Sequence, residues 1–426
     1  MSAIIYINDH QILIEQNQKF ERSQGYAWIR GESVIFDADA GASAVRHCRL
    51  SPQQIYSRYW QQCDQSSLPA NQAGIRHAAD LIYQHLSELK QRFNLQEIAL
   101  VVPSHYQTAN LQLLLGIAQA CQLKVNALVN GPLLALYRAD VISGKYQHVD
   151  MQLNQTVCSE FIVAHAQIEL VDVQVHHDIS LQSVQDSLLK TMQHNFIQND
   201  RFDPLHYAAT EQQLFDQIPQ VARAIGRDGK TSLLVEHQGQ THNVSIDARQ
   251  WKETLAEWFN KLSLGNVNGY DSRFLQLNGL LRDNASSLPE LPGTVVLTPQ
   301  PGLPLPPEVY QRDQNGELIY VNRLGCSENV TTAESQPSEI PPVDENAVTH
   351  LLCNGRAVPL ERAFISPEAN QLSVELVATA QANLSTMLAS GDLFVLNAPD
   401  RQELLLNDRL GSNLADGVVT AIRVRS

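Results

Sequence analysis

A chain of 426 residues exceeds one ordinary domain, since domains of roughly 100 to 200 residues are the norm, and 43% apolar with 18% charged residues excludes a disordered polymer. The formal net charge of -15 argues against nucleic acid as a partner, because such binding rests on Lys and Arg displacing condensed counterions. No apolar run approaches the roughly 20 residues that cross a bilayer, and MSAIIYINDH lacks the basic region and long apolar stretch of a signal peptide. A cytoplasmic protein without membrane insertion is expected.

In chain order, IIYINDHQILIEQ alternates around Asn8 and Asp9 and predicts an opening hairpin. GYAWIRGESVIF predicts two short strands around Gly31. Between Gly74 and Phe93, helical spacing of Ile75, Ala78, Ile82, Leu86, Leu89 and Phe93 predicts an amphipathic helix. IALVVP reads as a central strand covered on both faces. A helix through Leu111, Leu114, Leu115 and Ala118, the strand LKVNALVN and the helix NGPLLALYRADV complete a β/α unit, which implies parallel pairing.

From His148 the order repeats. MQLNQ, TVCSEFIVAH and IELVDVQVHH predict three strands, and Leu181 to Phe196 a long helix. TSLLVEHQGQTHNVSI predicts a hairpin turning at Gln238 and Gly239. ARQWKETLAEWFNKL predicts a helix presenting Trp251, Leu255, Trp258 and Leu262. TVVLTPQPGLPLPPEV predicts a buried strand running into a Pro-rich turn. Residues 331–346, TTAESQPSEIPPVDEN, are polar and aperiodic and predict a linker. Beyond it THLLCNG, LSVELVAT, DLFVLN, ELLLND and VVTAIRV predict a small all-β domain. The expected division is therefore 1–145, 146–330, the linker 331–346 and a β domain 347–426.

Candidate chemistry is sparse. The six cysteines, Cys48, Cys63, Cys121, Cys158, Cys326 and Cys353, form no Cys-x-x-Cys pair and read as reduced thiols. His176, His177 and Asp178 are adjacent, and neighbours in an extended segment face opposite ways, so a strand end is expected and not a metal site. Ser104 and His105 lack a Gly-x-Ser-x-Gly elbow, so Ser104 or Thr108 is expected to cap a helix. Asp203 before Pro204 reads as a turn before a helix, which leaves His206 and Tyr207 without a catalytic role.

The stretch IALVVPSHYQTANLQLLLGIAQACQLKVNALVNGPLLALYRADV resembles DnaK-type heat-shock chaperones and their actin relatives, in which a strand ends in Val-Pro before a helix. DADAGASAVRHCRLSPQQIYSRYW looks like the family's small-residue helix, and VSIDARQWKETL like the opening of a second-lobe helix. The resemblance covers about residues 1–325 and implies an α/β, two-lobed actin-like ATPase fold with related β-sheet halves, followed here by the small all-β domain.

In that family ATP and magnesium sit on glycine-rich phosphate loops, because backbone N–H groups must approach the anion closely. The Asp-x-Gly-Thr turn of the family reads Asn8, Asp9, His10 and Gln11, and the Asp-x-Gly-Gly-Gly loop reads Asp150, Met151, Gln152, Leu153 and Asn154. The Asn-Glu-Pro turn reads Asn130, Gly131 and Pro132, without its carboxylate. The adenosine-site glycine pair is replaced by Thr298 and Pro299. Asp9, Asp150, Asn130 and Thr298 are thus the candidates for a vestigial nucleotide cleft, with Asp9 and Asp150 a conceivable magnesium pair.

Phosphoryl transfer depends on positioning and charge stabilisation, so the resemblance implies a pseudo-ATPase without turnover or a working cofactor, acting on protein partners as a scaffold or assembly factor. The alternative is a nucleotide-regulated chaperone or assembly ATPase with non-standard loops. LLCNGRAVPL and ELLLNDRLGSNLADGVVTAIRV resemble forkhead-associated domains, which read phosphothreonine; Gly355 and Arg356 are present but no Ser-x-x-His follows.

Overall fold

The computed structural model describes residues 3–36, 43–72, 74–139, 141–261, 270–276, 294–297, 302–326, 350–353, 356–359, 363–368, 371–376, 393–395, 409–412 and 419–422. The chain divides into two compact units, Met1–Asn329 and Val330–Ser426.

The first unit opens with a meander of β1 (Ala3–Tyr6), β2 (Gln11–Gln16) and β3 (Lys19–Gln24). Short elements follow: β4 (Ala27–Arg30), β5 (Ser33–Ile35), β6 (Ile55–Tyr56), α1 (Tyr59–Gln62), β7 (Ser67–Gln72) and β8 (Ile75–His77). Then come α2 (Ala78–Phe93), β9 (Glu97–Val102), α3 (Thr108–Ala120), β10 (Lys124–Asn130) and α4 (Gly131–Arg138). A second meander, β11 (Gly144–Met151), β12 (Thr156–Ala164) and β13 (Gln167–His176), leads into α5 (Leu181–Asp200) and α6 (Ala208–Asp228). The hairpin β14 (Lys230–His237) and β15 (Gln240–Asp247), α7 (Ala248–Lys261), β16 (Ser272–Gln276), β17 (Thr294–Leu297), β18 (Tyr320–Val321) and β19 (Arg323–Gly325) complete the unit.

These strands build two six-stranded sheets on one plan, β18-β10-β9-β1-β2-β3 and β17-β16-β11-β12-β13-β19. In each, the three meander strands are antiparallel, and the first of them pairs in parallel with the next strand, which pairs in parallel with the one after. β9 and the end of β10 read as continuous apolar runs because both faces are covered. Along β9, Ile98, Leu100 and Val102 enter a core with α2 and α3, while Ala99 and Val101 enter a second core with α4. That second core also holds Phe161, Val163, Ile168 and Phe274 of the other sheet, so α4 packs between the two sheets. On the far face of the second sheet, Val149, Met151 and Leu275 meet α5, α6 and α7 through Leu188, Phe215 and Trp251.

The chain is therefore mixed α/β, and β9 is central as its sequence implies. The hairpin tip at Gln238 and Gly239 has φ of 49° and 78°, the two-residue turn whose twist suits paired strands. Several expectations are corrected. Of MQLNQ only Met151 lies in a strand: β11 runs from Gly144 to Met151, and Gln152 to Gln155 turn back with the Gln152 N–H on the Gln155 carbonyl at 2.8 Å. The small-residue helix is replaced, where described, by 3-10 turns at Ala44–His47 and Pro52–Gln54, the latter opened by Pro52. The strand at 294–297 is not buried but lies at an edge with Val295 and Val296 47% and 40% exposed. The segment after Gly302 does not belong to the second sheet alone, for β18 pairs with β10 and β19 with β13.

In the second unit all the described residues are in strands: β20 (His350–Cys353), β21 (Arg356–Pro359), β22 (Ala363–Glu368), β23 (Gln371–Leu376), β24 (Leu393–Val395), β25 (Arg409–Ser412) and β26 (Val419–Ile422). They form a five-stranded sheet, β21-β20-β26-β25-β24, and a β22-β23 hairpin. Leu351 and Leu410 are buried within it. The predicted linker 331–346 and Gly355 lie outside the described residues.

Candidate functional site

β1 ends in a tight turn. The Asn8 side-chain oxygen accepts the His10 N–H at 3.0 Å and the Asn8 carbonyl accepts the Gln11 N–H at 3.1 Å, an Asx turn that Asn favours by bonding its own backbone two residues on. The fold-back points Asp9 inward, only 2% exposed. Gly25 backs this turn so closely that an added Cβ would lie 1.5 Å from the Asp9 carbonyl oxygen.

The corresponding turn of the second sheet, Gln152 to Gln155, is held by the start of α5. The Leu181 and Gln182 N–H groups donate to the Gln152 and Leu153 carbonyls at 2.9 and 3.0 Å. The Leu153 side chain is buried with Tyr26, Trp28 and Leu181, which leaves its N–H facing the first turn. There it donates to Asp9 Oδ1 at 2.5 Å, while the Asn154 N–H and side-chain amide donate to Asp9 Oδ2 at 3.0 and 3.1 Å. In return, the Asn8 amide donates to Asp150 at 3.1 Å, and the Gln152 amide reaches the same carboxylate at 2.8 Å. Each turn thus gives one Asn amide to the aspartate of the other.

A polar shell extends this pair. The Asn154 amide also donates to the Ser57 carbonyl at 2.9 Å, and the Gln155 amide lies 3.1 Å from His105 Nε2 and 3.1 Å from Gln152 Oε1. The Gln61 amide donates to Gln155 at 2.9 Å. Burial dominates the electrostatics. It pushes the Asp9 carboxyl up to about 6 against its N–H donors, and Asp150 up to about 7, with the Asp9 charge adding to the rise. The same loss of water holds the His105 imidazole down at about 4.

Of the residues singled out from the sequence, Asp9 and Asp150 are brought together. Asn130 is not hydrogen-bonded to them: it caps α4 by accepting the Leu133 N–H at 2.9 Å, and its amide donates to Ser104 and Tyr320 at 3.0 and 3.1 Å. Thr298 lies outside the described residues. The oxygens of the proposed magnesium pair are engaged by N–H donors, and no cluster of three or more potential metal ligands occurs among the described residues. Ser104 is no helix cap; its hydroxyl bonds Asn130, and α3 is entered through Gln107, whose N–H bonds Asn110 at 2.9 Å. His176 does end a strand. Cys63, Cys121 and Cys158 are buried free thiols, Cys48 is a partly buried free thiol, and Cys326 is partly buried.

The partners that sequence reasoning missed are Asn8, Asn154, Gln152 and Gln155. Their signal was present in the Asn, Asp and Gln that fill both turns. No protein-family model matches the chain, and no curated protein matches it significantly. No helix among the described residues is long and apolar enough to cross a membrane, which says nothing of strands.

Proposed function

We propose that the chain is a degenerate member of the actin and heat-shock-chaperone superfamily, a two-lobed cytoplasmic scaffold or assembly factor that binds protein partners and does not hydrolyse ATP. The common plan of the two sheets, each a meander continued by parallel strands, supports the fold reading. The observation that carries the functional reading is the Asp9 carboxylate on the Leu153 and Asn154 N–H groups. Phosphate oxygens seeking those donors would have to displace a buried anion, so these residues do not fit a nucleotide triphosphate. At Gly131, where the resemblance expects a carboxylate, an added Cβ would already stand 3.3 Å from the Val102 carbonyl oxygen.

The purified chain with magnesium and ATP is expected to release phosphate no faster than buffer, and a fluorescent ATP analogue to show no saturable binding. Turnover that disappears in Asp150→Ala would overturn the reading in favour of a nucleotide-regulated assembly ATPase. Affinity purification from the native cells, with the full chain against one ending near Pro341, tests whether the β domain contributes a partner contact.

A further inference from the structure

The two turns are built as host and guest. Consecutive backbone N–H groups converging on one anion form a concave receptor, and such receptors select for negative charge whatever supplies it. In the Gln152 to Gln155 turn the Leu153 and Asn154 N–H groups take one carboxylate oxygen each, and the Asn154 amide adds a third donor. The receptor is held independently of Asp9, by α5 behind it and by residues of the first half of the chain beside it. α5 fixes the Gln152 and Leu153 carbonyls, the Leu153 side chain is anchored beside Trp28, and the Ser57 carbonyl fixes the Asn154 amide.

The guest is equally constrained, since the Asx turn and the approach of Gly25 leave Asp9 little choice of direction. Both turns terminate strands of different sheets, and those sheets otherwise share the apolar core around α4. We propose that the Gln152 to Gln155 turn is a carboxylate receptor whose resident guest is Asp9, and that this pairing, doubled by Asn8 on Asp150, is a clasp fixing one sheet against the other. The clasp goes beyond the loss of ATPase chemistry and stands on geometry alone.

A guest that is removed should be replaceable. In Asp9→Ala the receptor keeps its donors and gains a vacancy the size of a small carboxylate. Its melting temperature is expected to fall below that of the unaltered chain and to recover by several degrees in sodium formate relative to sodium chloride of equal ionic strength. The unaltered chain and Asp9→Asn, whose site is filled, should respond equally to the two salts. Equal responses of all three proteins, or none from Asp9→Ala, overturn the proposal.

Should Asp9→Ala fail to fold, Asp9→Asn decides, because its NH2 group takes the place of one carboxylate oxygen and sets a donor against a backbone N–H. Amide hydrogen exchange at Leu153 and Asn154 is expected to quicken at least about tenfold, with exchange in β9 unchanged, and unaltered exchange at the two amides sinks the clasp. ATP binding by the unaltered chain would refute the scaffold reading and leave the receptor standing; failed rescue would do the reverse.

Discussion

The Asn8 amide nitrogen lies 3.1 Å from both carboxylate oxygens of Asp150, a residue 142 positions further along the chain. The other donor to this buried carboxylate is the Gln152 amide, at 2.8 Å. Asn8→Ala therefore strips half its donors and should cost about 1 to 3 kcal/mol of unfolding free energy in urea, the range for a buried acceptor left short of partners. Asp150→Asn should cost less, because burial already holds that carboxyl near half-protonation at neutral pH. Equal losses for the two variants would refute the account.

Acid stability sets two carboxylates against four imidazoles. Asp9 and Asp150, raised to about 6 and about 7, hold protons in the folded state that the unfolded chain releases above about 4, so their contribution is present in acid and lost towards pH 7. His10, His85, His105 and His148, held by burial at about 4, 3, 4 and 4, do the opposite: their contribution is present above about 6.5 and lost as pH falls. Tyr26 and Tyr106 face Asp9 and Cys158 faces Asp150, and burial keeps all three neutral throughout this range. Four against two leaves about two protons taken up on unfolding between pH 4.5 and 6, a loss of at most about 3 kcal/mol per pH unit on acidification. Urea unfolding from pH 4.5 to 8 should show stability rising with pH and levelling off near 7, and a steady gain down to pH 5 would contradict it.

Gly25→Ala should be among the most damaging single-methyl changes available. The new Cβ would meet backbone, the Asp9 carbonyl, and backbone in a turn tied at both ends cannot move aside cheaply. A loss above about 3 kcal/mol is expected, of the size reserved for overpacking at a fixed contact. Gly116→Ala, on a helix with nothing within 4 Å, is the control and should be neutral or slightly stabilising. Similar stabilities of the two variants would place Gly25 in slack backbone.

The strand order was legible where period and burial agree. IALVVP announced a strand covered on both faces, and the alternate entry of Ile98, Ala99 and Leu100 into two cores is the reason. The turn at Asn17 and Gln18 was missed because its positive φ values, 54° and 60°, are carried without glycine. MQLNQ misled because Gln152 and Asn154 alternate with Met151 and Leu153 like a strand, whereas their amides turn aside to reach Asp150 and Asp9. Asp9 and Asp150 could be picked out singly from the sequence. The exchange of asparagines between them could not, since it joins turns more than 140 positions apart and depends on how two sheets meet.

His85 is the polar centre of the first core, and its tautomer follows from its neighbours. Trp60 Nε1, which can only donate, lies 3.0 Å from Nδ1, so Nδ1 holds the lone pair and Nε2 carries the proton. Nε2 then donates to Ser23 Oγ at 2.6 Å, joining α2 to β3, while the ring stacks on Phe36 at 4.3 Å. His85→Ala should cost about 3 to 5 kcal/mol, combining a cavity with the loss of the imidazole as partner of Trp60 Nε1, Ser23 Oγ and the Tyr59 hydroxyl, which lies 2.9 Å from Nδ1. His85→Phe fills the cavity and keeps the stack, so its smaller loss, about 2 kcal/mol, isolates the hydrogen bonds of the ring to Trp60, Ser23 and Tyr59. Burial holds the ring neutral down to about pH 3, so nitrogen NMR should find Nδ1 unprotonated from pH 8 to 5. A protonated Nδ1, or His85→Phe as stable as the unaltered chain, would show that this network does not order the core.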